Sequence, residues 1–313
     1  MQTTVVGSYP KPPHEGGEFT VRRLLHAVDK DERWKEQLSA AQDDLAEGVI
    51  REQLTSGIDL VTDGHVRWDD ILTPFASRMH GFEIGGLIRW FDNNVYYRRP
   101  ICTGEIEWTQ PASVRDFEFA KELAGAERVK AVVPGPSTFA RMSIDDHYGD
   151  HEAFVRAIGD AIASEISALV SAGARHIQID EPALLFHPED VKLLQGSPVF
   201  HAGVEITLAT YFGHPARVPG LFDLPVECVA VDLCSAGSEV PEAPDGMILQ
   251  VGVVDGRNTR LEEEETLVRT ASQLARRFGQ IRLAPSCGLE FLPRGAARAK
   301  LELLARVSHR MGE

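Results

Sequence analysis

The stretch His176-Ile177-Gln178-Ile179-Asp180-Glu181-Pro182 most constrains what this chain can fold into: a short β-branched run ends abruptly in two carboxylates and a proline. The run reads as a buried strand, and the proline stops it. Successive strand side chains face opposite ways, so two adjacent acids cannot both enter an apolar layer, where an unpaired carboxylate is very costly. One or both therefore reach a polar cavity at the strand's carboxyl end, where alternating β/α proteins build active sites. The competing use is an acid pair that caps the next helix or holds an arginine.

The pattern recurs. Further apolar runs begin at Thr3 and occupy Ile58 to Thr62, Val129 to Val133, Glu205 to Tyr211, Cys228 to Leu233, Met247 to Val254 and Ile281 to Ala284, which with the run ending at Asp180 makes eight strands. Between them lie helical patterns. Trp34, Leu38, Leu45, Val49 and Leu54 form one stripe over residues 29 to 56, closed by Gly57, and Phe154, Ile158, Ile162, Ile166 and Leu169 form another over His151 to Ala172. Two more are expected at about 260 to 278 and 294 to 310. Eight strands, most of them followed by a helix, predict a single (β/α)8 TIM barrel, an α/β fold spanning residues 1–313 as one domain. Residues 83 to 110, with Trp90, Phe91, Val95, Tyr96 and Tyr97 among Gly, Asn and Arg, predict a β-hairpin excursion after the second strand that covers one end of the barrel.

A net charge of −15 disfavours nucleic acid and anionic membrane as partners. No apolar run approaches the ~18 residues of a membrane span, and no basic, then apolar, leader opens the chain, so a cytoplasmic protein is expected. Cys102, Cys228, Cys234 and Cys287 show no paired spacing and read as thiols or ligands. No glycine-rich phosphate-binding motif follows any strand.

In a barrel the residues just past each strand converge on one mouth. They are Ser8, the cluster Asp63, His65 and Arg67, then Ser137, Asp180 with Glu181, Tyr211 with His214, Asp232 with Cys234, Asp255 with Arg257, and Ser286 with Cys287. Guanidinium forks such as Arg67 and Arg257 match a carboxylate, though they serve equally to pair with Asp63, Asp180 or Asp255. Acids and arginines together suit a zwitterionic, amino-acid-like substrate. Cys287 with Asp232 and His214 or Cys234 has the donor types of a mixed zinc site, but the ligands would come from different strands and spacing does not decide it.

The set Val6-Gly7-Ser8-Tyr9-Pro10, Gly57 to Gly64, Pro134-Gly135-Pro136-Ser137-Thr138, Gln178 to Leu184 and Pro285-Ser286-Cys287-Gly288-Leu289 resembles, in order over essentially the whole chain, the catalytic barrel of cobalamin-independent methionine synthase, within the uroporphyrinogen decarboxylase/methionine synthase superfamily. The resemblance implies a barrel in which zinc holds homocysteine thiolate for a methyl donor, with Ser8 on the amino-acid carboxylate, Asp180 on its ammonium and Cys287 on the metal. The departures are specific. The family's His-x-Cys zinc pair falls on Ala209 and Tyr211, its glutamate ligand on Asp232, its second substrate-binding glutamate on His65, its catalytic histidine on Arg257 and its folate-stacking tryptophan on Met142. Thr210 to Gly213 and Gly252 to Asn258 look more like the non-catalytic N-terminal barrel of the long enzymes. Two alternatives stay open for the metal: a site rebuilt from Cys287, Asp232 and His214 or Cys234, or none.

The leading expectation is a methyltransferase that moves a methyl group from a non-folate donor, such as a methylated corrinoid protein, to a thiol such as homocysteine, giving methionine. His65, Asp180 and Arg257 are the catalytic candidates, and Ser8, Asp63, Arg67, Ser137, Glu181 and Tyr211 the substrate-binding ones. A second reading is a metal-free lyase or decarboxylase-like enzyme with His65, of ordinary pKa near ~6.5, as general acid and base. A third is a binding barrel without turnover.

Overall fold

The computed structural model describes residues 1–11, 21–28, 30–93, 95–236, 240 and 242–312. Its parallel sheet runs β1 (Gln2–Thr3), β10 (Ile281–Pro285), β9 (Ile248–Val254), β8 (Cys228–Asp232), β7 (Glu205–Ala209), β6 (His176–Asp180), β4 (Lys130–Pro134) in spatial order. The gap between β4 and β1 is closed by two bridge residues. Leu60 pairs with Thr4 and Val61 with Val129, both parallel, with Leu60 N donating to Thr3 O at 3.1 Å and Lys130 N to Val61 O at 2.9 Å. The ring of eight predicted strands therefore closes, the second of them reduced to its bridge because it bends at once into the polar segment after Thr62.

The helices follow the predicted stripes. Asp150 caps α6 (His151–Ser171) by accepting from Glu152 N, and the helix buries Phe154, Ile158, Ile162, Ile166 and Leu169. The helices α9 (Glu264–Phe278) and α10 (Arg294–Gly312) lie where expected. The first long helix differs. It begins only at α2 (Lys35–Thr55), after a turn of 3-10 helix at Glu32–Trp34 in which Asp31 turns back to accept from Arg33 N, and a separate helix, α1 (Val21–Val28), that was not predicted precedes it; Asp29 lies outside the described residues.

The excursion is a twisted antiparallel hairpin, β2 (Met79–Arg89) against β3 (Tyr96–Trp108), with β5 (Ile144–Asp145) added in parallel. It starts and ends slightly earlier than predicted, and Asn94 near its tip lies outside the described residues.

The barrel lumen is polar. Ile177 and Ile179 pack outward in the main apolar core, so Gln178 and Asp180 between and beyond them face inward. Lys130, Thr207, Gln250 and Arg282, all at most 3% exposed, face the same lumen. Arg282 Nη1 reaches Glu205 Oε1 at 2.9 Å from a strand three places away, a contact that only the lumen permits. His176 joins the same carboxylate at 3.1 Å. Against the cost of burial, these partners hold the Glu205 carboxyl down at about 2, from an ordinary 4.5. Its contribution to stability is full above pH 4.5 and lost as pH falls towards 2. Arg282→Met is expected to destabilise the fold by about 3 kcal/mol, since it leaves the Glu205 carboxylate with His176 alone, and to shrink this acid limb. Denaturant melts across pH check both; an unchanged limb would place the acid sensitivity elsewhere.

Candidate active site

The strand that opens the chain delivers Val6, Gly7 and Ser8 to the mouth of the barrel. There they line a cavity of about 300 Å³ with His65, Asp180, Tyr211 and Glu290, under a partly aromatic wall of Trp68, Trp90, Tyr97 and Phe212. The hairpin tip supplies Trp90 and Tyr97, so the excursion roofs this end of the barrel as predicted.

The acid pair divides. Asp180 points into the cavity: its Oδ1 accepts from Gln178 Nε2 at 2.6 Å and its Oδ2 from Tyr211 OH at 3.0 Å. Burial raises its carboxyl to about 7 against those hydrogen bonds. Behind it, Lys130 Nζ donates to Gln178 Oε1 at 2.6 Å and to Val5 O at 2.7 Å. An ammonium only donates, so it fixes the amide oxygen of Gln178 towards itself and the amide nitrogen towards Asp180. Glu181 points the other way. It accepts from Ser137 N, Thr138 N and Thr138 Oγ1 at 2.7–2.9 Å and caps α5 (Pro136–Arg141).

His65 is 4% exposed and stacks on Trp68 with ring centroids 4.1 Å apart. Its Nδ1 shares a hydrogen with Ser8 Oγ at 3.1 Å, while Nε2 has no partner. Burial, and then Lys11 and Lys130, hold its pKa down to about 3, so the ring is neutral at physiological pH. Gly7 makes room for it: a Cβ there would sit 2.6 Å from His65 Cε1. Backbone strain gathers around the cavity. His65 and Phe212 have φ of +50° and +73°, each costing about 1–3 kcal/mol in a side-chain-bearing residue.

Several predicted residues serve the scaffold instead. Arg67 is held by Asp116 at 3.0 Å, by Gln42 at 2.9 Å and by Asp43, so it ties α2 to the loop and is not free for a substrate carboxylate. Ser137 donates to Asp190 at 2.8 Å, behind the mouth, and Asp63 is absent from the cavity lining, its carboxyl raised by burial and by Asp116. Arg257 is exposed, with its guanidinium over the Phe212 ring at 5.1 Å and on Ser235 Oγ at 2.6 Å. Conversely, Lys11 and Glu290 line the cavity without having been singled out. Each lies three residues past a predicted mouth residue, Ser8 and Cys287, and a charge at that offset was the available signal.

The donor set does not fit zinc as placed. Among the described residues no three His, Cys, Asp or Glu side chains gather as metal ligands. Asp232 Oδ1 accepts from Cys234 N and Ser235 N and its Oδ2 from Phe212 N, so this carboxylate holds the strained Phe212 turn. His214 Nδ1 accepts from Ala216 N. Cys287 is fully buried with Val6 and Tyr211, and burial, then Glu290 and Asp232, keep its thiol protonated. The trio Cys287, Asp232 and His214 is thus not brought together. Cys287→Ala is expected to leave the zinc content per chain unchanged and to cost about 1 kcal/mol as a small core truncation. Metal analysis and melting check this; a zinc ion lost with the thiol would show that the three do gather on binding.

Comparison with known proteins agrees with the fold. The family described as "Cobalamin-independent synthase, N-terminal domain" matches residues 83–279. Methionine synthase of Sulfurisphaera tokodaii is 30% identical, over 96% of this chain and 89% of that protein, and that of Sulfolobus acidocaldarius is 31% identical over the same shares. The structure of a B12-independent methionine synthase from Shewanella sp. W3-18-1, in complex with selenomethionine, superposes with a TM-score of 0.82 at 20% identity, covering 98% of this chain and 97% of that one. A methyltransferase from Methanosarcina mazei gives 0.64 at 15% identity, covering 99% and 95%. At such identities the superpositions carry the barrel fold alone, while the full-length relatives and the matched domain carry the family: the chain belongs to the cobalamin-independent methionine synthases.

Proposed function

We propose that this chain transfers a methyl group to the thiol of homocysteine, releasing methionine. The observation that carries the reading is a cavity with zwitterion chemistry in a chain alike over almost its whole length to methionine synthases. Asp180 offers a carboxylate to the ammonium, Ser8 a hydroxyl and Lys11 a positive charge to the carboxylate, and the aromatic wall takes the methylene stem. The methyl moves as an electrophile. Its bond to the donor breaks with the electron pair left on the donor, the sulfur lone pair forms the new S–C bond, and the thiol proton is released. No step of this scheme passes through zinc.

The donor we infer is a methylated corrinoid carried by another protein, a substrate rather than a resident cofactor. The net charge of −15 repels a polyglutamate tail, and Met142 stands where the folate-stacking tryptophan would be. Beside the cavity a second hollow of about 590 Å³, bounded by Phe91, Phe186, Phe212 and Met142, gives a flat donor an apolar approach. Free thiols at all four cysteines support placing this enzyme in the cytoplasm, and among the described residues no helix is long and apolar enough to cross a membrane. The lyase reading is not favoured, because a histidine held neutral does not cycle a proton near pH 7.

Incubation of the protein with L-homocysteine and either methylcobalamin or methyl-tetrahydrofolate tests this, with methionine expected from the first only. Asp180→Asn should lower kcat/KM about ten- to hundredfold, the worth of one hydrogen bond to a charged group. Methionine from the folate would refute the donor. Homocysteine binding without product from any methyl donor would leave a binding barrel.

A further inference from the structure

The amino-acid reading leaves the substrate ammonium short of partners. Where the family pattern calls for a second substrate-binding glutamate the chain has His65, neutral and without countercharge. An ammonium has three N–H donors, and Asp180 answers one. Two other cavity-lining side chains each carry a buried atom with no partner, His65 Nε2 and Glu290 Oε2. Buried polar atoms without partners are uncommon in native proteins, and two in one cavity point to a ligand that supplies donors.

Resting on that reading, we propose that Glu290 supplies the second carboxylate for the substrate ammonium, from across the barrel mouth, and that His65 Nε2 accepts its third hydrogen. Asp180 ends β6 and Glu290 follows β10, four strands apart in the ring, so the two approach a ligand from opposite sides. Gly288 makes this approach feasible. A Cβ there would lie 2.1 Å from Glu290 Oε2, so the bare glycine leaves room for the carboxylate to fold back over its own chain beside the cavity. The charges agree. Burial raises the Glu290 carboxyl to about 7 against a backbone hydrogen bond and the charge of Lys11, and the proximity of Asp180 adds a smaller repulsion that a cation bound between the two relieves. The hydrogens agree too. If Ser8 donates its hydroxyl hydrogen to the substrate carboxylate, its oxygen must accept from His65 Nδ1–H, which leaves Nε2 as a lone-pair acceptor facing the amino group.

Calorimetry with L-methionine and with 4-(methylsulfanyl)butanoate, the same molecule without its amino group, tests the assignment. The wild type is expected to prefer L-methionine. Glu290→Gln should weaken L-methionine about tenfold or more, leave the amine-free analogue unchanged, and melt like the wild type. Glu290→Asp, which keeps the charge, should lose less. Equal weakening of both ligands, no weakening, or a greater loss in Glu290→Asp overturns the role of Glu290 while leaving the amino-acid reading intact. A wild type that does not bind L-methionine overturns both.

Discussion

An ammonium buried inside a barrel must find its acceptors there, and Lys130 finds Val5 O and Gln178 Oε1. That choice propagates. Gln178 is left with its amide nitrogen for Val6 O at 2.6 Å and Asp180 Oδ1 at 2.6 Å, and Asp180 turns its other oxygen to Tyr211. Four side chains from two strands and a loop are thereby locked into one polarity, with donors below and an acceptor at the mouth. Burial brings the pKa of Lys130 down to about 7, a measure of how much the site depends on a group that the lumen holds at a cost. Low dielectric strengthens such a network when every member is satisfied, and it penalises the loss of any one.

The loops above this floor are equally constrained. His65 and Phe212 occupy left-handed backbone that their side chains disfavour, each pinned by a specific bond: Ser8 Oγ on the imidazole, Asp232 on the Phe212 amide. The hairpin places Trp90 and Tyr97 over the same space, and Tyr97 OH is tied to Met142 O at 2.8 Å. Water-excluding aromatic walls above a charged floor make each ionic contact with a ligand worth more than it would be in solvent.

Much of this was legible in the chain. Eight apolar runs gave seven barrel strands and the bridge at Leu60 and Val61 that closes the ring, the stripe at Phe154 to Leu169 gave a helix with those residues inside, and the acid pair at Asp180 and Glu181 had to face two environments. Ser8, Asp180, Tyr211 and His65 were found at strand ends and do share one cavity. Arg67, Ser137, Glu181, Asp232 and His214 were found by the same rule and serve caps, turns and ion pairs. A strand end says that a side chain is near the mouth; it does not say which way it turns or what has already claimed its hydrogen bonds.

The sequence by itself determined the barrel, because alternating periodicities and turn residues are local signals, and it determined the family, because its motifs stand in order along the chain. Tertiary structure alone decided the working chemistry of the mouth. Lys11, Glu290 and Lys130 are distant in sequence from Asp180, and their relation to it is an electrostatic one that exists only once the ring closes and excludes water. The same closure drives the pKa of His65 far below its ordinary value. Burial and long-range charge, which no local pattern encodes, separate a titrating base from a neutral hydrogen-bonding ring.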